Sequence, residues 1–257
     1  TLYENQTVTT TNGNTTVTTG SGNDNVTGSA FADNITTNEG ADSVAAGTGN
    51  DTVVSGGGND SVAGQAGNDS INGGLGNDNL DGGADNDNID GGEGNDVITD
   101  GTGNDTVLGG AGNDTVNLDV GADRIDTGAD NDIVNAGANL TVADTVTGGA
   151  GNDILNILTD NTTSDLNNVT QVERIVLQDD GGPYSYSIGN VSAFDNDGTI
   201  VTVDGSALDA GGVETLTFDA STLSRGIILI GGGSGDTLTG GSSTDTLLGG
   251  LGNDVLT

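Results

Sequence analysis

The chain has 257 residues, among them 48 glycines, one proline, three tyrosines, three phenylalanines and no Trp, Met, Cys or His, and 39 acidic residues face three basic ones for a formal net charge of −36. Length alone allows one or two globular domains, but so little apolar surface and so much like charge predict a disordered polyanion unless cations neutralise it. The balance excludes disulfide staples and disfavours nucleic acid and anionic membranes as partners.

Two valines open the chain's apolar ladder. Val8 and Val17 stand where later units carry a β-branched residue or leucine, but Gln6 and Thr15 occupy the places that later hold acids. Residues 1–18 are therefore expected to form entry turns that lack acidic ligands. No signal-peptide pattern is legible in these opening residues, and no apolar run approaches a membrane span, so no membrane insertion is expected.

From 19 to 156 one nonapeptide recurs, close to Gly-Gly-x-Gly-Asn-Asp-x-U-x, as in Gly91 to Thr99 and Gly109 to Asn117, where U is apolar. Its sixth place holds Asp24, Asp33, Asp42, Asp51, Asp60, Asp69, Asp78, Asp87, Asp96, Asp105, Asp114, Asp123 and Asp132. Two residues after each comes one apolar side chain, from Val26 and Ile35 through to Val134. The units at 28–36 and 118–126 are the weaker ones. Extra residues after Asn135 predict a bulge or short loop, beyond which Asp144 and Asp153 resume the pattern.

The wording lapses over 157–230. Strand-like runs persist at Val172 to Leu177, Tyr184 to Ile188, Ile200 to Val203, Val213 to Phe218 and Ile227 to Ile230. The spacing of Ile175, Val201 and Ile228 favours a wider-rung β-solenoid, with a small β insertion as the alternative. Terminal repeats at 231–257 carry Asp236, Asp245 and Asp254 and are expected to continue beyond this excerpt.

Local chemistry predicts how a unit folds. Glycines at the first, second and fourth places permit positive φ, and Asn at the fifth tolerates the left-handed region. The last three residues suffice for a short strand whose apolar side chain points inward. Two units then make one turn, and turns stacked about 4.8 Å apart pair their strands in parallel. The acids fall into two columns, one running from Asp24 through Asp42 to Asp132 and the other from Asp33 through Asp51 to Asp123.

Like charges stacked so closely repel by roughly a kcal/mol per neighbouring pair even at water-like dielectric. A cation must lie between them. Multiple Ca2+ ions suit the columns, because calcium accepts six to eight oxygens from carboxylates and carbonyls in a flexible shell. Magnesium resists dehydration, and transition metals want the His or Cys that the chain lacks. One buried aliphatic side chain per unit is far too little to order nine residues, so folding and metal binding are expected to be one event. The expected fold class is all-β, a right-handed parallel β-roll or β-helix solenoid with stacked calcium-binding turns.

These repeats resemble the repeats-in-toxin family, also called haemolysin-type calcium-binding repeats, over about 19–156 and 231–257. The resemblance implies that the sixth-place aspartates ligate calcium and that turn carbonyls complete the shell. Those would be carbonyls such as Gly56, Gly58, Gly74, Gly76, Gly92, Gly94, Gly110 and Gly112. It also implies one-step (type I) export as an unfolded chain, with folding outside the cell. Val172 to Leu177 and Val213 to Phe218 are similar to strand motifs of bacterial surface-layer proteins carrying such repeats.

No enzyme is expected. The chain has no His, Cys or Lys, and its paired acids are accounted for by the columns rather than by glycoside hydrolysis. Asp195-Asn196-Asp197-Gly198 matches only part of an EF-hand loop and is read as a solvated turn. The expected function is a calcium-binding structural segment of a secreted or cell-surface assembly protein: a surface layer, filament or adhesin stalk. Its partners would be calcium, further copies of itself or other cell-surface components. Two alternatives stand beside it: a calcium-triggered folding and export module of a secreted hydrolase or toxin, and a glycan- or surface-binding adhesin module.

Overall fold

The computed structural model describes residues 4–158, 165–179, 185–188, 201–208 and 214–257. The chain is an all-β parallel solenoid whose contacts separate two units, Thr1–Asp132 and Ile133–Thr257. Helix is limited, among the described residues, to one 3-10 turn at Asp165–Asn168, and none is long and apolar enough to cross a membrane.

In the first unit one face is built from β1 (Thr7–Thr9), β3 (Asn25–Thr27), β5 (Ser43–Thr48), β7 (Ser61–Ala66), β9 (Asn79–Ala84), β11 (Val97–Thr99) and β13 (Thr115–Asn117). The other is built from β2 (Thr16–Thr18), β4 (Asn34–Thr36), β6 (Thr52–Gly57), β8 (Ser70–Leu75), β10 (Asn88–Glu93), β12 (Thr106–Ala111) and β14 (Arg124–Ala129). Odd strands pair only with odd and even with even, always in parallel. The eighth-place residues stack directly: Val44 on Val62, Leu80, Ile98 and Val116, and Ile35 on Val53, Ile71, Ile89 and Val107. All are buried. Two nonapeptides per turn is the repeat's geometry, as its period predicts.

The strands are longer than expected. Several run six residues, as in Ser70–Leu75, and enter the next repeat because its first place also faces inward. First-place Gly73 and Gly91 are extended and do not adopt positive φ. Space is what demands glycine there: a Cβ on Gly73 would lie 2.4 Å from Asp78 Oδ2 and 2.6 Å from the Gly91 carbonyl. Where a hydroxyl residue takes this place, it bonds onward up the stack. Thr37 donates to the Ser55 carbonyl at 3.0 Å, and Ser55 donates to that of Gly73 at 2.9 Å. Positive φ belongs instead to the second and fourth places, where Asn38, Gln65, Asp85 and Asp130 adopt it without being glycine.

In the second unit, β15 (Ile133–Gly137), β17 (Ile154–Leu158), β19 (Arg174–Gln178), β21 (Val201–Asp204), β23 (Ile227–Ile230) and β25 (Thr246–Leu248) form one parallel sheet. A second face holds β20 (Ser185–Ile188), β22 (Thr215–Asp219), β24 (Thr237–Thr239) and β26 (Val255–Leu256), while β16 (Thr145–Thr147) pairs with β18 (Val169–Thr170). A register shift between Asn135 and Gly137 marks the extra residues foreseen there. The inward ladder steps unevenly, through Val134, Leu155, Ile175, Val203, Leu229 and Leu247. Val203 stacks on Ile175, two residues past the Val201 that spacing suggests. Both valines are buried on the same face, so alternation alone does not choose between them. Asp195 to Gly198, Ile200, Tyr184 and Val213 lie outside the described residues.

Candidate metal centre

The sixth-place aspartates come together as foreseen, in two buried ladders along the edges of the first unit. Each carboxylate reaches one turn back. Asp42 Oδ1 accepts the Asp24 N–H at 2.7 Å, and Asp60, Asp78, Asp96, Asp114 and Asp132 repeat the contact at 2.8 Å. On the opposite edge Asp51, Asp69, Asp87, Asp105 and Asp123 do the same to Asp33, Asp51, Asp69, Asp87 and Asp105. The entry turns, which carry no acid at the sixth place, supply the bottom rungs: Gln6 N–H donates to Asp24 Oδ1 and Thr15 N–H to Asp33 Oδ1.

At many of these positions the geometry uses only half of the carboxylate. The second oxygens of Asp24, Asp51, Asp69, Asp78, Asp87, Asp96, Asp105 and Asp114 are buried without a hydrogen-bond partner. Buried ionised oxygens in that condition are costly. A hard cation with an oxygen shell would satisfy them, so the donor set fits calcium. Asp33 departs from the pattern, because Ser29 stands near its turn and donates both its N–H and its hydroxyl to Asp33 Oδ2, at 2.8 and 2.9 Å.

The glycine carbonyls named above stack on the edge that carries Asp60, Asp78, Asp96 and Asp114. A Cβ on Gly74, Gly92 or Gly110 would meet the carbonyl oxygen of Gly56, Gly74 or Gly92 at 2.1 Å. On Gly76, Gly94 or Gly112 it would meet that of Gly58, Gly76 or Gly94 at 1.8, 1.8 and 2.0 Å. Each carbonyl thus points into the turn above it. In the second unit the pattern breaks up. Asp144 Oδ2 accepts the Thr141 N–H at 2.6 Å, and Asp236 Oδ2 accepts that of Gly232 at 2.8 Å. Asp153 is buried, whereas Asp245 and Asp254 are half-buried, their Oδ1 atoms accepting the N–H groups of Ile227 and Asp236.

Three roles escaped the sequence reading. Fifth-place asparagines do not use the left-handed region; they form exposed ladders, as where Asn59 Oδ1 accepts the Asn77 N–H and Asn77 that of Asn95. Glu173 continues an acid ladder with a longer side chain, its Oε2 accepting the Asp153 N–H at 2.7 Å. Asp100, at a first place, joins Asp105 and Asp123 in one close group. A carboxylate acceptor at i+18 or beyond is invisible to a nine-residue window, though an acid in a glycine place is a signal that could have flagged Asp100.

Burial lifts the carboxyls in the middle of the columns above their usual range in the metal-free chain. Asp60 and Asp69 are pushed up to about 6, and Asp87 and Asp114 to about 7. Desolvation is the main cause; the N–H from the turn below opposes it, and neighbouring acids of the stack reinforce it. A carboxyl raised on folding makes the fold take up protons. The contribution of these carboxyls to metal-free stability is therefore fully present below about pH 4 and is lost as pH rises through about 6–7. Calcium must displace those protons, so its apparent affinity rises from pH 5 to about 7.5 and binding releases protons. Calorimetry in two buffers of different ionisation enthalpy checks this, and a pH-independent affinity with no proton release contradicts it.

The family described as RTX calcium-binding nonapeptide repeat (4 copies) matches the chain at residues 9–30, 18–53, 27–62, 54–89, 81–116, 90–125, 119–139, 143–157 and 228–256. Comparison with curated proteins returned no match. The matched segments together span more than half of the chain and contain both aspartate columns, so the chain belongs to the RTX calcium-binding nonapeptide-repeat family.

Proposed function

We propose that this chain is a structural segment of a secreted or cell-surface assembly, such as a surface layer, filament or adhesin stalk, that folds and stiffens on meeting extracellular calcium. One observation carries the reading: two buried aspartate columns in which the second carboxylate oxygens of Asp24, Asp51, Asp69, Asp78, Asp87, Asp96, Asp105 and Asp114 have no hydrogen-bond partner. Their carboxylates would hold Ca2+ together with turn carbonyls such as those of Gly74, Gly76, Gly92 and Gly94. The ions would supply the positive charge that lets stacked acids stay ionised. Unbroken parallel pairing of like residues over the first unit supports a stiff scaffold. The segment has no catalytic role in this reading, since its closely paired buried acids are those of the columns and it has no His, Cys or Lys. Family membership and the −36 charge support export through a type I system in an unfolded form.

Calcium titration of the purified chain, followed by far-UV circular dichroism and sedimentation, tests the reading. The expected outcome is a cooperative coil-to-β transition near about 0.1–1 mM calcium, the range of extracellular calcium modules, and then large ordered particles. A transition that ends in a stable monomer contradicts assembly and favours a folding and export module.

A further inference from the structure

The geometry points to one calcium site unlike its neighbours, built from the carboxylates of Asp100, Asp105 and Asp123, that fills before the regular sites of the first unit. The inference rests on the calcium reading above and concerns a residue outside the repeat's ligand positions. Asp105 and Asp123 are ordinary sixth-place acids of adjacent turns, joined by the Asp105 N–H to Asp123 Oδ1 bond at 2.8 Å. Asp100 stands at a first place, in an inward column that holds Ala46, Gly64 and Gly82 below it and Leu118 above it. An acid there has no part in the repeat's wording.

Its environment is that of a ligand. Asp100 is 0 % exposed. Its Oδ1 is fixed by two main-chain donors, the N–H groups of Gly101 and Asp119, both at 2.8 Å. Its Oδ2 is buried without a hydrogen-bond partner, as is that of Asp105. One carboxylate oxygen from each of Asp100, Asp105 and Asp123 lies within 4.8 Å of the others. The local backbone has adapted to this side chain. β11 stops at Thr99, where β9 runs on to Ala84, and pairing resumes only at the Ala84–Thr102 bridge. A fixed, buried carboxylate aimed at two others destabilises the chain unless a cation joins them. Ligand charge count is a main determinant of calcium affinity, so three carboxylates bind more tightly than the two that a regular pair of turns brings together.

The test compares the full chain with Asp100→Asn, which keeps the shape and the Oδ1 acceptor, and Asp100→Gly, which restores the repeat wording. Each is titrated with calcium in a calorimeter, and circular dichroism at saturating calcium verifies folding. Wild type should show a first binding event at roughly tenfold or more lower free calcium than the rest. Both variants should lose that event and keep the later ones. Isotherms of wild type and Asp100→Asn that superimpose overturn the inference while leaving the repeat sites intact. A wild-type chain that takes up no calcium overturns the underlying reading instead. If Asp100→Asn fails to fold, the comparison with Asp100→Gly decides in the same terms.

Discussion

Excess chelator at neutral pH should collapse the β-signal of this chain to that of a coil and expand it hydrodynamically. The reason lies in how little else holds a turn. A regular nonapeptide of the first unit buries one aliphatic residue at its eighth place, such as Ile71, Leu80 or Ile89, and at its first place mostly glycine or another small residue, Leu118 being the large exception. Nine ordered residues outweigh that burial several-fold in lost conformational entropy. Meanwhile the columns place carboxylates in buried surroundings, and the second oxygens of Asp51, Asp69, Asp78, Asp87, Asp96 and Asp114 have no hydrogen-bond partner there. Calcium reverses the sign of that electrostatic contribution, so its removal is felt at every turn together and the loss is cooperative. Acidification to about pH 5 should restore part of the β-structure without metal, because protons then neutralise carboxyls whose folded values lie at about 6–7. Circular dichroism with sedimentation reads both effects. Undiminished β-structure in chelator at pH 7.5 would sink metal-dependent folding.

The second large effect is expected from a single methyl group. Gly76→Ala should raise the calcium needed for half-folding and lower the thermal midpoint by about 5 °C or more, each kcal/mol being worth a few degrees in a domain of this size. Gly76 sits at φ +120°, a region almost closed to L side chains, and an added Cβ would lie 1.8 Å from the Gly58 carbonyl oxygen. Backbone strain of this kind costs about 1–3 kcal/mol. The clash is with main chain, so no rotamer change relieves it and the turn below must move. Leu75→Ala is the control, since Leu75 is the exposed third place of the same turn. Equal calcium midpoints for the two variants would show that a side chain fits at position 76.

Much of this architecture could be read before any coordinate was known. A period of nine with one inward residue per unit leaves only a stack in which Val62, Leu80 and Ile98 coincide, because a slip of one residue would turn the whole apolar column to solvent. The same period forces Asp60, Asp78 and Asp96 into one edge and therefore implies a cation. These inferences need only local spacing, and the repeat multiplies each of them.

Contacts a full turn or more away decided the rest. First-place glycines are required by the carboxylate and carbonyl crowded beside them, which a reading of φ preferences does not reveal. Val203 rather than Val201 meets Ile175, a choice alternation cannot make because both valines are buried on the same face. Glu173 enters an acid ladder from outside the repeat because its longer side chain reaches the N–H that an aspartate takes elsewhere. Asp100 looks like a substituted glycine in the chain, and it becomes a third carboxylate only when the turn carrying Asp123 closes over it. Periodicity determines which residues share a column, since that follows from residue counting. What a given side chain meets there depends on its neighbours one turn above and below, and only the folded stack supplies those.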